Sequence, residues 1–336
     1  MITATQPAPT GIGSAPSQLT SIQALRGLAA LSVAWFHFTQ SPGYADGIVR
    51  ASGAYGYLGV DAFFVISGFI LPHVLHARGY ERRLYGRFMA KRFLRLEPPY
   101  LVGVALAVIL QYISSVIPGY AGAPFDVTWT DILLHLGYLN QLLGTRSFNP
   151  VFWSLAIEVQ WYLVLGLIFP LLRAGNGPLR LTLLAMSGVV PWLIPSEALL
   201  FHFAPLFMMG VLTYQRKAGV IEKGEYVGGL AFLVAACLFS VGILTALAGA
   251  VSVIALATVT LANRSLLWLG GMSYSLYLAH VPIGGRVMNL SLKLGLTGAP
   301  RLLAPIAALV VSILAAGVLY RLVEKPSMML SAKIRY

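Results

Sequence analysis

The sequence is poor in charge and nearly devoid of cysteine. Only 10 % of its 336 residues are charged, against about 25 % in an ordinary soluble domain, which excludes a water-soluble globular protein. The single cysteine, Cys237, lies in an apolar run and excludes an intrachain disulfide or a multi-cysteine metal site. No stretch is polar enough to form a separate domain, so the net charge of +12 is not read as nucleic-acid binding. The first 20 residues carry no charge and three prolines (Pro7, Pro9, Pro16). They lack the basic start and early apolar core of a signal peptide, and read as a disordered tail.

What the sequence does have is apolar length. Apolar residues make up 58 % of it, and a bilayer crossing needs about 20 of them in a run. The runs fall at 22–38, 58–76, 98–117, 151–172, 181–194, 199–214, 226–247, 249–262, 268–288 and 302–323, with the long stretch from 226 to 262 divided near Ala248 and Gly249. A shorter piece, 131–143, reads as interfacial or re-entrant. The expected fold is all-α: a polytopic membrane bundle of about ten helices over 21–326, with a short tail at 327–336.

Orientation follows from the basic residues. Segment 77–97 holds seven of them, Arg78, Arg82, Arg83, Arg87, Lys91, Arg92 and Arg95, against Glu81 and Glu97. The excess of Lys and Arg in cytoplasmic loops places this loop inside the cell. With ten spans both termini are then cytoplasmic, and the protein is expected in the inner (plasma) membrane.

Ionisable groups inside spans cost about 2.5–3.5 kcal/mol each on insertion scales and mark function. The first span holds Arg26 and His37. Eleven residues at about 100° each return to within about 20° of one face, with a rise of roughly 16 Å between them. In the fourth span, Ser154, Glu158 and Tyr162 recur every four residues on one face behind Trp153. With this span entering from outside, Glu158 is expected near the depth of His37, joined by Asp61 at the outer start of the second span. Two carboxylates and an imidazole at one depth suit proton transfer from a hydroxyl; a structural hydrogen-bonded cluster is the competing reading. The ninth span carries Ser273, Tyr277 and His280 on a further polar stripe, which helix–helix contact alone could also explain. Arg87, Lys91 and Arg95 follow the same four-residue spacing before Glu97-Pro98-Pro99-Tyr100, where the prolines are expected to open the next helix. Such a basic edge serves topology and anionic lipid, or cradles phosphates. No ligand set for a metal stands out.

Together these segments resemble acyltransferase family 3, integral-membrane acyltransferases that modify bacterial surface polysaccharides and some other hydroxylated acceptors. Leu25-Arg26-Gly27-Leu28-Ala29-Ala30 with His37 is similar to the family's Arg-x(10)-His signature. Gly59-Val60-Asp61-Ala62-Phe63-Phe64-Val65-Ile66-Ser67-Gly68-Phe69 resembles its second-helix motif, and Arg92-Phe93-Leu94-Arg95-Leu96-Glu97-Pro98-Pro99-Tyr100 its basic motif. Trp153-Ser154-Leu155-Ala156-Ile157-Glu158, Ser273-Tyr274-Ser275-Leu276-Tyr277-Leu278-Ala279-His280 and Glu324-Lys325-Pro326 match three further signatures.

The resemblance implies acyl transfer, most often from acetyl-CoA as co-substrate with no permanently bound cofactor, to a sugar hydroxyl. It makes Arg26 and His37 essential, with His37 as base or acyl relay. Asp61 or Glu158 is expected to support His37, and Arg26 to serve the CoA side. Arg87, Lys91, Arg92 and Arg95 would bind CoA, and Tyr100, Trp153, Ser154, Ser273, Tyr277 and His280 would line the substrate path. Some members carry a fused extracytoplasmic esterase-like domain. This sequence reads as a membrane module without one, for which a separate extracytoplasmic transferase is an open partner. The rival function is a proton-coupled exporter of a glycan or metabolite, disfavoured because transporters commonly carry an internal repeat and none is visible. On a Cys237→Ser background, cysteine introduced at position 126 should label from outside and cysteine within 77–97 from the cytoplasm; labelling of position 126 from the cytoplasm alone would overturn the topology.

Overall fold

The computed structural model describes residues 16–41, 47–117, 124–173 and 177–335, and every regular element among them is helical. In chain order these are α1 (Pro16–Thr39), α2 (Ile48–Gly53), α3 (Gly59–Ala77), α4 (Tyr85–Ser115), α5 (Trp129–Leu136), α6 (Phe152–Arg173), α7 (Gly177–Leu193), α8 (Leu200–Lys217), α9 (Lys223–Ser240) and α10 (Ile243–Thr258). They continue with α11 (Arg264–Gly271), α12 (Ser273–Ala279), α13 (Gly285–Lys293), α14 (Gly298–Leu319) and α15 (Lys325–Ala332). Wide π-type turns at His280–Gly284 and Tyr320–Glu324 join α12 to α13 and α14 to α15 without a loop.

The bundle is sorted for lipid. On α6, Leu163, Leu167 and Leu171 are each 42–43 % exposed, while Leu165 and Phe169 are fully buried. Leu302, Leu303, Ile306, Val310, Leu314 and Val318 form a similar exposed stripe on α14. Such faces are tolerable only where the surroundings are as apolar as the side chains, and they make this a membrane protein. Inside, Phe64 stacks on Phe207 at 4.8 Å between ring centres, and Trp161 lies 4.8 Å from the same ring.

The limits of several helices differ from the reading of hydropathy. Six described stretches are long and apolar enough to span: Leu19–Thr39, Ile48–Ala77, Arg82–Ser115, Phe152–Arg173, Lys223–Ser240 and Gly298–Ala332. The other expected crossings are α7 with 17 residues, α8 with 18 that end on Arg216 and Lys217, α10 with 16, and the π-interrupted α12–α13 segment. The divide expected near Ala248 and Gly249 falls instead at Val241–Gly242, where Gly242 adopts φ +131°, a backbone that only glycine takes without strain. Pro98 and Pro99 do not open a helix; they lie within the continuous 31-residue α4, as membrane helices allow when neighbours satisfy the freed backbone groups. Residues 16–20, expected in a tail, already belong to α1, and the rest of that tail lies outside the described residues. At the other end, 327–332 is helical, with Ser327 and Ser331 buried against the bundle. The short piece read at 131–143 is the eight-residue α5 followed by turns.

A close seam joins α3 to α8. A Cβ at Gly68 would stand 2.0 Å from the Phe207 carbonyl oxygen, and one at Gly210 would stand 2.1 Å from that of Val65. The backbones touch through two glycines, the close approach by which helices gain dispersion energy in lipid. Gly210→Val should therefore cost at least about 1–3 kcal/mol, the usual toll of overpacking, read as a lower Tm of the detergent-purified protein. Gly228→Val, whose Cβ meets nothing within 4 Å, is the control and should leave Tm nearly unchanged.

Candidate active site

Two cavities lie at different levels of α1 and α4. The first, of about 250 Å³, is lined by Arg26 from the middle of α1 and by the N-terminal half of α4. Five cationic side chains line it, Arg26 from α1, Arg78 just after α3, and Lys91, Arg92 and Arg95 from α4, together with a single carboxylate, Glu158 of α6. The helical repeat explains the group: Lys91, Arg92 and Arg95 occupy one side of α4 within little more than a turn. Arg92 is fixed with its guanidinium 5.6 Å from the ring centres of both Phe88 and Tyr162, and Lys91 Nζ donates to the Ile334 carbonyl at 2.8 Å. Ser67 Oγ donates to Glu158 Oε1 at 3.2 Å. Glu324, at the second π turn, accepts from Ser275 through its backbone N–H at 3.1 Å and its hydroxyl at 2.5 Å.

The inner end of this cavity is closed by a hydrogen-bonded pair. The hydroxyls of Ser154 and Tyr277 lie 2.6 Å apart, and both reach the Val151 carbonyl, at 3.1 and 3.3 Å. Behind Tyr277 comes His280, its ring centre 5.8 Å away, and behind that His37, 5.2 Å further. His280 is wholly buried; its Nδ1–H donates to the Leu276 carbonyl at 3.0 Å, and its Nε2 has no partner among the described residues. That fixes the tautomer and leaves an acceptor lone pair beside His37.

His37 lines the second cavity, of about 460 Å³, with Gln40, Gln111, Arg146, Phe148 and Arg286 among its walls. Gln111 lies 16 residues beyond Arg95 on α4, a rise of roughly 24 Å, so the two cavities face opposite sides of the bundle. Ser154, Tyr277 and His280 form a line of contacts that leads from the first cavity to His37.

The sequence-predicted residues therefore divide. Arg26, Lys91, Arg92, Arg95, Ser154, Ser273 and Tyr277 do converge on one cavity. Glu158 stands with them, on the side of Arg26, and not with His37 as expected, because helix depth was counted from an assumed outer end rather than from packing. Asp61 is also away from His37: it is buried beside Thr245 of α10, on the far side of α3. The imidazole next to His37 is His280 instead. Arg87, in the first turn of α4, is exposed and lines neither cavity wall described here. Tyr100 donates to the His135 carbonyl at 3.0 Å and stacks on Tyr138, and Trp153 packs against Phe64 and Phe203, so both act as scaffold. Arg78, Ser67 and Arg286 are not among the site residues expected from the sequence; Arg78, already counted in the basic segment, is the one its position after the second span could have added. Among the described residues no group of His, Cys, Asp and Glu could hold a metal ion.

Comparison with known proteins gives the family of the chain. A family model described as an acyltransferase domain matches residues 19–321. Over 95 % of its length the chain is 27 % identical to the acyltransferase MdmB of Streptomyces mycarofaciens, covering 94 % of that protein. It is 32 % identical over 43 % of its length to the peptidoglycan O-acetyltransferase OatA of Listeria monocytogenes, and 29 % identical over 47 % to the O-acetyltransferase OatA of Staphylococcus aureus NCTC 8325. The chain spans only about a quarter of those two longer proteins, 23 % and 26 %. No solved structure matches it. With six motifs in order, an all-helical membrane bundle and a domain match over most of its length, the chain belongs to acyltransferase family 3 and is an acyltransferase.

Proposed function

We propose that this protein is an O-acyltransferase that takes an acyl group, acetyl in the first instance, from acyl-CoA in the cytosol and places it on a hydroxyl of an exported or surface glycan. The observation that carries this reading is the pair of cavities at different levels of α1, one basic and one holding His37, with a thin partition between them. Five cations against one carboxylate suit a polyanion, and Arg forks match phosphate geometry. CoA would rest its phosphates on Lys91, Arg92 and Arg95 and point its thioester towards Ser154 and Tyr277. The two OatA relatives, named as O-acetyltransferases, support acetyl transfer to oxygen.

In the chemical step the acceptor hydroxyl enters from the second cavity and attacks the thioester carbonyl. His37 takes the hydroxyl proton, the carbon–sulfur bond breaks, and the CoA thiolate leaves and receives the proton. His280, whose tautomer is set by the Leu276 carbonyl, keeps its other nitrogen unprotonated with its ring centre 5.2 Å from that of His37, a neighbour towards which the imidazolium formed at His37 can turn its N–H. Arg26 faces the donor side with Glu158 and is too far along α1 to orient His37.

The test is made on the full chain in proteoliposomes, measuring acetyl-CoA affinity and thiol release. Arg95→Gln should weaken acetyl-CoA binding about ten- to hundred-fold, the worth of one charge-assisted hydrogen bond of about 1.5–3 kcal/mol, and wild-type affinity should fall with added salt. His37→Ala should lower turnover about 10²–10⁴-fold, as for loss of a general base. Unchanged affinity in Arg95→Gln would remove the basic cavity as the donor site, and wild-type turnover in His37→Ala would end the mechanism.

A further inference from the structure

The second cavity has a charge that the chemistry above does not use. Two arginines line it, and they differ. Arg146 is ion-paired with Asp126. Arg286, on α13, has its Nε buried with no hydrogen-bond partner among the described residues. No carboxylate lines this cavity among the described residues, so Arg286 meets no counter-charge among them. A buried N–H left this way costs free energy unless an acceptor meets it, and an anion meets a guanidinium N–H best.

The remaining walls describe what the anion is attached to. Gln111 and Asn289 present side-chain amides, which donate and accept at once and so suit hydroxyl groups. Phe148 presents an aromatic face that is rigidly mounted. Its ring stacks on His135 at 3.9 Å with 9° between planes, and its backbone N–H donates to His135 Nε2 at 3.1 Å. His135 is itself anchored through Nδ1–H to the Asp131 carbonyl at 2.7 Å. A flat apolar plate beside amides is a platform for a sugar ring. Arg286 follows His280 by six residues, a rise of roughly 9 Å, so an anion held there and a hydroxyl at His37 fit on one ring or on two adjoining ones.

We propose that this cavity is the acceptor site and that it selects a sugar acid, whose carboxylate pairs with Arg286 while a ring hydroxyl lies at His37. The proposal rests on reading the cavity as the acceptor side of the acyl transfer. It makes Arg286 a specificity-determining residue: bidentate pairing with a carboxylate gives orientation as well as affinity, and a neutral sugar leaves the guanidinium unpaired.

The test is binding, so that it stands apart from turnover. The full chain in phosphatidylcholine nanodiscs is titrated with methyl β-glucuronide and methyl β-glucoside, which differ only in a carboxylate against a hydroxymethyl group. Wild type should bind the glucuronide about ten-fold or more tightly than the glucoside, the lower end of what a charge-assisted bond provides, with a gap that shrinks as salt is added. Arg286→Gln should bring the two affinities together, and Arg286→Lys, which keeps the charge without the fork, should retain part of the gap if the glutamine variant fails to fold. Equal affinities in wild type, no measurable binding of either sugar, or a gap that survives Arg286→Gln would each overturn the proposal. Loss of the gap when phosphatidylglycerol is added would assign Arg286 to a lipid headgroup and overturn it as well. Absence of thiol release from acetyl-CoA would strike the acyl-transfer reading and leave the glucuronide preference standing or falling by itself.

Discussion

Placing cations inside an apolar bundle is the constraint from which the rest of this structure follows. Arg26 sits within a membrane-length helix, and a charged side chain there is tolerated only where it meets a counter-charge or a polar space. Glu158 from α6 and Glu324 from the turn after α14 supply opposite charge around it, and Glu324 also acts on Arg95. Neither carboxylate is left to itself: Ser67 donates to the first and Ser275 doubly to the second. The polar interior therefore needs α1, α3, α4, α6, α12 and the α14–α15 turn to meet at one place. The glycine seam between α3 and α8 makes the complementary contribution. By bringing two backbones into contact on the outer side of α3, it fixes the face that α3 turns towards the cavity.

The two π-type turns belong to the same arrangement. Each inserts extra backbone into a long helical path, and the residues at their edges are His280 and Glu324. A π turn rotates the side chains after it relative to an ideal helix, so α12 and α13 present different faces to the core although they run on without a loop. On the α12 side this points Ser275 towards Glu324 and Tyr277 towards Ser154. After the turn, Gly285 and Arg286 face the other cavity. One interrupted helix thus serves both ends of the bundle.

The sequence made the class of the fold legible because apolar length and scarcity of charge are summed over the whole chain, and local errors cancel in such sums. It was less informative about limits. Hydropathy does not register that Gly242 takes a positive φ, or that Pro98 and Pro99 are carried inside a continuous helix. The site was legible where one helix alone decides which residues share a face, as for Arg26 with His37 and for Lys91 with Arg95. It failed where depth or neighbours came from packing. Glu158 was expected by His37 from a count along the helix, and the structure places it with Arg26. Arg286 carries no motif, and its position depends on a π turn that no periodicity in the sequence marks.

The partition between the cavities sets a further condition on any group that crosses. It is built from Ser154, Tyr277 and His280, and nearly all of its polar atoms are satisfied within the protein: both hydroxyls meet the Val151 carbonyl, and His280 Nδ1 meets that of Leu276. A barrier with its polar groups already paired offers little to a water molecule or an ion, which would have to give up hydration without replacement. The exception is His280 Nε2, which has no partner among the described residues, on a ring whose centre lies 5.2 Å from that of His37. The layer therefore resists solvent while offering one acceptor at the point where a proton must be handled. A short, uncharged acyl carbonyl loses little hydration on entering such a layer, whereas the phosphates of its carrier would lose a great deal. On the proposed reading, the electrostatics that would hold a polyanion among Lys91, Arg92 and Arg95 are the same that would keep it from following its acyl group across, so that donor and acceptor would be separated by solvation rather than by a moving gate.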